Sequence, residues 1–346
     1  MTELLRKLLD EVLITHSPPG QEEEMEAVVR PYLEEYCDEV WQDAHLNLVG
    51  RIAGDTSEGA IIIAAHKDEV ATMVERIEDD GKVRLDPLGG ILPWRYGEGP
   101  FDLLGDEVVT GVLSVGSTHS SDRSPDIHAA KTSKPLTWNM CYVQCGLTRE
   151  QLNARGVDIG TRGVISRMRK TPMYMGERVC GWGLDDKGAV VATLLTAMLV
   201  SEAGRPPRDL YFVATSSEEG GCSGGQYAAR TLPADTMIAV EVAPVAPEYP
   251  IEMSPAPVVF YKDSYTYDKR LCDRLVAVAE ELGLGHQRGI FRSLGTDVSI
   301  ALKAGLVGRG AAIGFPTENT HGYEMANMEA IGNCSRVLAR YVADPM

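Results

Sequence analysis

Five side chains of the kinds that bind divalent metals stand at the ends of predicted strands or just before a predicted helix. They are His66, Asp185, Glu219, Glu241 and His321. Two imidazoles and three carboxylates supply the nitrogen and oxygen ligands that zinc and cobalt ions accept. The set therefore predicts a centre for two divalent metal ions, with one carboxylate bridging both.

Such a centre performs hydrolysis, because two metal ions lower the pKa of a bridging water and make hydroxide available near neutral pH. The reaction also needs a proton acceptor, and the consecutive carboxylates Glu218 and Glu219 supply one metal ligand and one free base. Asp68 lies two residues after His66, on the same side of an extended segment, where it would orient a ligand as a hydrogen-bond acceptor. We therefore expect a hydrolytic site.

Buried strands of a parallel sheet must position these residues. The run from Ile61 to Ala65 is continuously apolar, as in strands covered on both faces, and His66 follows it directly. Further strands are predicted over 210–216, 237–242 and 311–315, alternating with helices over 188–201, 224–230, 267–282, 297–304 and 325–342. Because ligands bind at the carboxyl ends of strands in open α/β sheets, these elements bring the candidate residues to one edge.

The segment from Val70 to Ser166 has a different pattern, with short alternating stretches such as Thr72–Ile77 and Val108–Val115 separated by glycine-rich turns. It predicts a β-rich insertion. We therefore expect an α/β protein with a mixed, mostly parallel sheet covered by helices. Residues 1–69 and 167–346 would form the catalytic domain and residues 70–166 the inserted domain. At the N-terminus, Pro31 is expected to kink or divide a helix over 22–36.

Composition excludes several classes of function. A formal net charge of −17 repels phosphate backbones and anionic membrane surfaces, so neither nucleic acid nor a membrane is an expected partner. The longest apolar run is shorter than the roughly 20 residues that span a bilayer. Seven cysteines without a CxxC pair, and an N-terminus without a secretory signal pattern, predict a cytoplasmic protein with reduced thiols.

A series of motifs extends this pattern over nearly the whole chain. The motifs are Ser17-Pro18-Pro19-Gly20-Gln21-Glu22, His66-Lys67-Asp68-Glu69-Val70, Pro87-Leu88-Gly89-Gly90, Gly111-Val112-Leu113-Ser114-Val115, Gly156-Val157-Asp158-Ile159-Gly160, Leu184-Asp185-Asp186-Lys187, Ser217-Glu218-Glu219-Gly220, Gly295-Thr296-Asp297 and Ile313-Gly314-Phe315-Pro316-Thr317. In this order they resemble the tetrahedral or glutamyl aminopeptidase family of dinuclear metallopeptidases, some members of which were first described as endoglucanases.

The resemblance implies a role for each candidate residue. Asp185 would bridge two metal ions, His66 and Glu241 would complete the site of one ion, and Glu219 and His321 that of the other. Glu218 would be the general base. The resemblance also implies the dinuclear metallopeptidase fold with a small barrel-like insertion for dimerisation or as a lid. Dimers would build hollow dodecamers, and the substrates would be oligopeptides losing N-terminal residues.

The chain departs from the family pattern at several positions. Lys67 stands where the family usually has a hydrophobic residue, and Glu241 stands where it usually has aspartate. Lys187-Gly188 stands where the family usually has arginine or a residue next to that arginine. Lys67 is interpreted as an exposed lysine at a strand end, with attraction of a substrate carboxylate as the alternative. His119 in the insertion is a candidate for reaching a neighbouring subunit's active site.

Other functions remain open from the sequence. A related dinuclear dipeptidase or N-acyl amino acid amidohydrolase is the nearest alternative to an aminopeptidase. A glycosidase fits less well, because adjacent Glu218 and Glu219 are poorly placed to flank a glycosidic bond. A non-catalytic scaffold is disfavoured by the spare base, since structural zinc sites are normally closed by four ligands.

Overall fold

The computed structural model describes residues 2–345, apart from the side chains of residues 57, 58, 125 and 126. Residues 1 and 346, at which the predicted catalytic segments begin and end, lie outside the described residues. The helices are α1 (Thr2–Leu13), α2 (Glu23–Tyr36), α3 (Pro93–Tyr96), α4 (Pro125–Thr132), α5 (Arg149–Asn153), α6 (Leu184–Ala203), α7 (Ser223–Thr231), α8 (Lys269–Glu281), α9 (Asp297–Lys303) and α10 (Met328–Ala343). The strands are β1 (Glu39–Gln42), β2 (Leu48–Ile52), β3 (Thr56–His66), β4 (Ala71–Ile77), β5 (Val83–Leu88), β6 (Gly99–Leu104), β7 (Val108–Ser114), β8 (Tyr142–Gln144), β9 (Arg162–Ile165), β10 (Met173–Met175), β11 (Arg178–Trp182), β12 (Arg208–Thr215), β13 (Ala234–Pro244), β14 (Val258–Lys262), β15 (Gln287–Ile290), β16 (Arg309–Glu318) and β17 (Tyr323–Asn327).

The larger of two compact units contains the chain up to Glu69, Pro172–Thr320 and the residues from Glu324 onward. An 11-stranded sheet runs through it in the order β1-β2-β12-β3-β13-β16-β17-β11-β10, with β14 beside β16 and β15 beside β14. Strands β12, β3, β13 and β16 pair in parallel, whereas β2 pairs with β12 and β14 pairs with β16 in the antiparallel sense. Helix α6 packs on β3 and β13, and α9 contacts β16, β13 and β3. The predicted mixed, mostly parallel sheet covered by helices is confirmed.

The sequence explains why β3 lies at the centre of this sheet. Its residues from Ile61 to Ala65 are each at most 2% exposed, and burying a branched aliphatic side chain contributes roughly 1.5–3 kcal/mol. The parallel register then sets the strand ends. Thr215 of β12 pairs with His66 of β3, and Ala239 of β13 pairs with Ala64. Glu241, two residues further along β13, is therefore level with His66.

The second compact unit comprises Val70–Thr171 and His321–Tyr323. Six of its strands close a barrel in the order β4-β5-β8-β7-β6-β9. Burial alternates along the first six residues of β7, which is the pattern that predicted a strand there. The barrel-like insertion expected in the fold class is confirmed.

The helix predicted over 188–201 extends from Leu184 to Ala203, and two other predicted helices differ for identifiable reasons. Helix α2 is not divided at Pro31, because its residues Met25, Val29 and Leu33 are buried and their packing offsets the missing backbone donor. The last helix begins at Met328 rather than Met325, because the residues before it form β17, which pairs with β16. Among residues 2–345, no helix combines the length and the apolar character needed to cross a membrane.

Candidate metal centre

The end of β3, the neighbouring strand β13 and the start of α6 bring four ligand-type side chains together. Donor atoms of His66, Asp185, Asp186 and Glu241 all lie within 4.8 Å of one another, and all four residues are buried. Nε2 of His66 is 3.2 Å from Oδ1 of Asp185. The structure therefore brings three of the five predicted ligands to one place.

A second group shares the same histidine. Donor atoms of His66, Glu218 and Glu219 lie within 4.8 Å of one another, and Nε2 of His66 is 3.8 Å from Oε2 of Glu218. The two glutamates follow β12 after two serines, and the last residue of that strand, Thr215, pairs with His66. Both carboxylates of the predicted ligand-and-base pair therefore reach the end of β3.

His321, the fifth predicted ligand, belongs to the unit that contains the barrel. Its backbone is in the left-handed region with φ 58°, and its Nδ1 is 3.2 Å from the carbonyl oxygen of Gly90. A Cβ added at Gly90 would lie 3.0 Å from the imidazole ring, so glycine leaves the room that this ring occupies. Its role as a metal ligand stays a prediction.

Asp68 organises the backbone at the end of β12. Its Oδ1 accepts a hydrogen bond from the backbone N–H of Glu218, and its Oδ2 accepts one from that of Glu219, each at 3.0 Å. Nδ1 of His66 is 3.0 Å from the backbone carbonyl oxygen of Asp68. The sequence predicted an acceptor that orients a ligand, and the carboxylate reaches the backbone of both glutamates.

Asp186 belongs to the first group but was not among the candidate residues. It is fully buried, and its Oδ2 accepts the backbone N–H of His66 at 3.2 Å. Its Oδ1 has no hydrogen-bond partner among the described residues. Asp185 and Asp186 have non-helical backbone angles at the start of α6 and are joined by a cis peptide bond. The two consecutive aspartates, like the two consecutive glutamates at Glu218 and Glu219, were the sequence signal that could have identified Asp186 as a candidate.

Burial and the repulsion between neighbouring carboxylates both shift the pKa values of these groups. Burial raises the pKa of Asp186 and of Glu241 well above their ordinary values, and neighbouring carboxylates raise both further. Burial likewise raises the pKa of Glu218 to about 8, against the opposing effect of His66. For His66, burial lowers the pKa, but Glu218, Asp185 and Asp68 outweigh it and raise the pKa well above 6.5. A divalent cation would relieve this repulsion. The buried oxygens and imidazole therefore fit metal binding.

Two buried lysines near the strand ends bind backbone carbonyls and carboxylates other than the candidate metal ligands. Lys67 is 1% exposed, its Nζ donates to the carbonyl oxygen of Leu46 at 2.6 Å, and Glu22 and Glu26 are each 3.5 Å away. The interpretation of Lys67 as an exposed strand-end lysine is therefore wrong. Glu26 of α2 and Glu22, which directly precedes α2, cover its ammonium group. Its burial also argues against attraction of a substrate carboxylate.

Lys187 is equally buried. Its Nζ donates to the carbonyl oxygen of Thr15 at 2.9 Å and lies 3.5 Å from Oε2 of Glu69. The lysine that follows the doubled aspartate therefore binds the segment after α1 and the segment after β3. In the barrel unit, His119 is exposed beside Arg84, Tyr142 and several serines that line an open cleft. Its predicted contact with a neighbouring subunit stays a prediction.

Comparison with known proteins identifies the relatives of this chain. The family model described as M42 glutamyl aminopeptidase matches residues 47–337. A putative aminopeptidase of Acetivibrio thermocellus is 27% identical over 99% of this chain and 98% of its own length. The solved structure of aminopeptidase APDkam598 from the archaeon Desulfurococcus kamchatkensis superimposes with a TM-score of 0.89, at 23% identity, over 99% of this chain and 95% of that one. A structure described as a dodecamer of PhTET1-12s has a TM-score of 0.84 at 21% identity, over 99% of each chain.

Proposed function

The chain belongs to the M42 glutamyl aminopeptidase family, and on that premise we propose that it is a metal-dependent aminopeptidase removing N-terminal residues from oligopeptides. The observation that carries this proposal is the convergence of His66, Asp185, Asp186 and Glu241, whose donor atoms lie within 4.8 Å of one another. Buried carboxylates that repel one another at a strand end are poorly explained by stability alone.

Two divalent cations, zinc or cobalt in the first instance, would supply the chemistry of a coordinated water with a lowered pKa. We propose that Asp185 is shared between the two ions, that His66 and Glu241 hold one, and that Glu219 and His321 hold the other. Asp186 accepts the backbone N–H of His66, which favours a role in orienting that ligand rather than a place in the shared set.

Glu218 is proposed as the general base. It would take a proton from the attacking water, whose oxygen bonds to the carbonyl carbon, and pass that proton to the nitrogen of the leaving amine. The peptide bond then breaks to give a free amino acid and the shortened peptide. Its Oε2 lies 3.8 Å from Nε2 of His66, which supports this role. Asp68 is proposed to hold Glu218 and Glu219 in place through their backbone N–H groups.

The proposed domain roles follow the same pattern. Residues 1–69 and 167–346 would carry the chemistry, and residues 70–166 would serve dimerisation or act as a lid. Similarity to a protein solved as a dodecamer supports a homo-oligomer, built from dimers and up to twelve subunits in size. Enclosure of the sites in such an assembly would limit the substrates to short peptides.

The test is a panel of aminoacyl-anilides and short peptides with matched N-acetylated controls, assayed with zinc-loaded, cobalt-loaded and chelator-stripped protein. The proposal predicts hydrolysis of free N-termini only, loss of turnover on chelation, and recovery when metal is restored. Preferential hydrolysis of the N-acetylated substrates would instead indicate an N-acyl amino acid amidohydrolase. Turnover that survives complete metal removal would contradict the proposal.

A further inference from the structure

The two carboxylate oxygens of Glu218 face different partners. Oε2 lies 3.8 Å from Nε2 of His66 and so points toward the candidate metal ligands. Oε1 accepts a hydrogen bond from Sγ of Cys222 at 2.9 Å. The terminal torsion of a glutamate side chain is broad and has little intrinsic preference, so a partner on one oxygen decides which oxygen remains available to the reaction.

The backbone fixes the position of Cys222. It stands immediately before α7 in the left-handed region, with φ 56° and ψ 32°. Its backbone N–H donates to the carbonyl oxygen of Glu218 at 2.7 Å, which closes a tight turn between the two residues. The turn places the thiol against the carboxylate. It does so at some cost in backbone strain, because residues other than glycine rarely adopt this conformation.

The thiol is suited to donate. Cys222 is 7% exposed, and burial together with the carboxylates of Glu218 and Asp297 raises the pKa of its thiol well above the ordinary value, so the sulfur keeps its proton. Donor atoms of Glu218, Cys222 and Asp297 lie within 4.8 Å of one another. An S–H donor on Oε1 therefore also offsets part of the repulsion that Asp297 exerts on Glu218.

We propose that Cys222 is a positioning residue that holds Oε1 of Glu218, so that Oε2 is the atom that accepts the proton of the attacking water. This inference rests on the proposed function of Glu218 as general base. The thiol acts through the glutamate, as the hydrogen-bond donor to its Oε1. No covalent step and no change in the oxidation state of the sulfur is involved.

The kinetic test compares three substitutions of this residue in the full-length, metal-saturated protein. Cys222→Ala and Cys222→Val remove the donor and should lower kcat about three- to tenfold, the effect of losing one hydrogen bond, while KM stays within about twofold. Cys222→Ser retains a hydroxyl donor and should restore most of kcat. Cys272→Ala is the matched control, because Cys272 is also buried and donates to a carbonyl oxygen, that of Phe260, at 3.2 Å.

An infrared measurement separates this inference from the proposed function. The difference spectrum between wild type and Cys222→Ala should show one S–H stretching band displaced by a carboxylate acceptor, and Glu218→Gln should shift that band. Unchanged kcat in Cys222→Ala and Cys222→Val, equal loss in Cys222→Ser, or a band insensitive to Glu218→Gln would each overturn the inference. If the S–H band responds to Glu218→Gln but the protein hydrolyses no peptide, the proposed function is overturned. The hydrogen bond between Cys222 and Glu218 would then stand, and only its catalytic role would be lost.

Discussion

Asp68 and Glu218 lie 150 residues apart in the chain, yet Oδ1 of Asp68 accepts the backbone N–H of Glu218 at 3.0 Å. The other carboxylate oxygen accepts the N–H of Glu219 at the same distance. One buried side chain after β3 thus fixes the backbone that carries both the candidate base and a candidate ligand. The geometry of the proposed reaction depends on this pair of hydrogen bonds.

Asp68→Asn should therefore impair catalysis without contacting the substrate. An amide retains one acceptor and places a donor against the second backbone N–H, so we expect kcat and metal affinity to fall about 10- to 100-fold. Steady-state kinetics and metal titration measure both effects. The control is Asp209→Asn, since Asp209 is also a buried carboxylate that accepts a backbone N–H, that of Gly54. Equal losses in the two variants would mean that Asp68 serves stability alone.

Glu218→Gln should abolish proton transfer and leave the ligands in place. The substitution preserves the shape of the side chain but removes its basicity, so kcat should fall by about 10²–10⁴. Metal content measured on the same preparation should match that of the wild type. Turnover close to that of the wild type would show that another group is the base.

Divalent cations should stabilise the folded protein, because they relieve the repulsion between the buried carboxylates of Asp185, Asp186 and Glu241. At a free concentration about 100 times the dissociation constant, one bound ion adds about 2.7 kcal/mol to the free energy of unfolding. Thermal unfolding of chelated and cobalt- or zinc-loaded protein measures the shift in Tm. Asp185→Ala should lose most of this shift, whereas Asp209→Asn should retain it. An equal shift in Asp185→Ala would place the ions elsewhere.

Lys67 should matter for stability through its buried carboxylate partners. Burial raises the pKa of Glu22 to about 7, against the lowering effect of Lys67. Lys67→Met should therefore destabilise the fold by about 3–5 kcal/mol, because it leaves Glu22 and Glu26 without their buried cation. Adding Glu22→Gln should recover part of the loss in denaturant unfolding. Lys269→Met is the control, since Lys269 pairs with Asp273 at the surface.

The sequence predicted the central strands, and it singled out His66, Asp185 and Glu241, which the structure brings together, because both depend on local patterns. The apolar run of β3 and the acidic or histidine residues at strand ends are visible without knowledge of the fold. Strands β10, β11, β14, β15 and β17 were missed, because each is at most five residues long and shows no clear alternating pattern, so its strand structure depends on pairing with neighbouring strands.

The features missed at single residues have different causes. Burial of Lys67 depends on Glu22 and Glu26, which are about forty residues away in the sequence, and no periodicity indicates it. The bond from Cys222 to Glu218 spans four residues but requires a left-handed backbone at Cys222. Asp186 was overlooked because the resemblance assigned a role only to its neighbour.

The most direct test is anomalous diffraction from crystals of the protein grown with cobalt or zinc. Two strong peaks per subunit are expected on either side of the Asp185 carboxylate, one near His66 and Glu241 and the other near Glu219 and His321. The absence of anomalous density within bonding distance of Asp185, in crystals saturated with either metal, would contradict it.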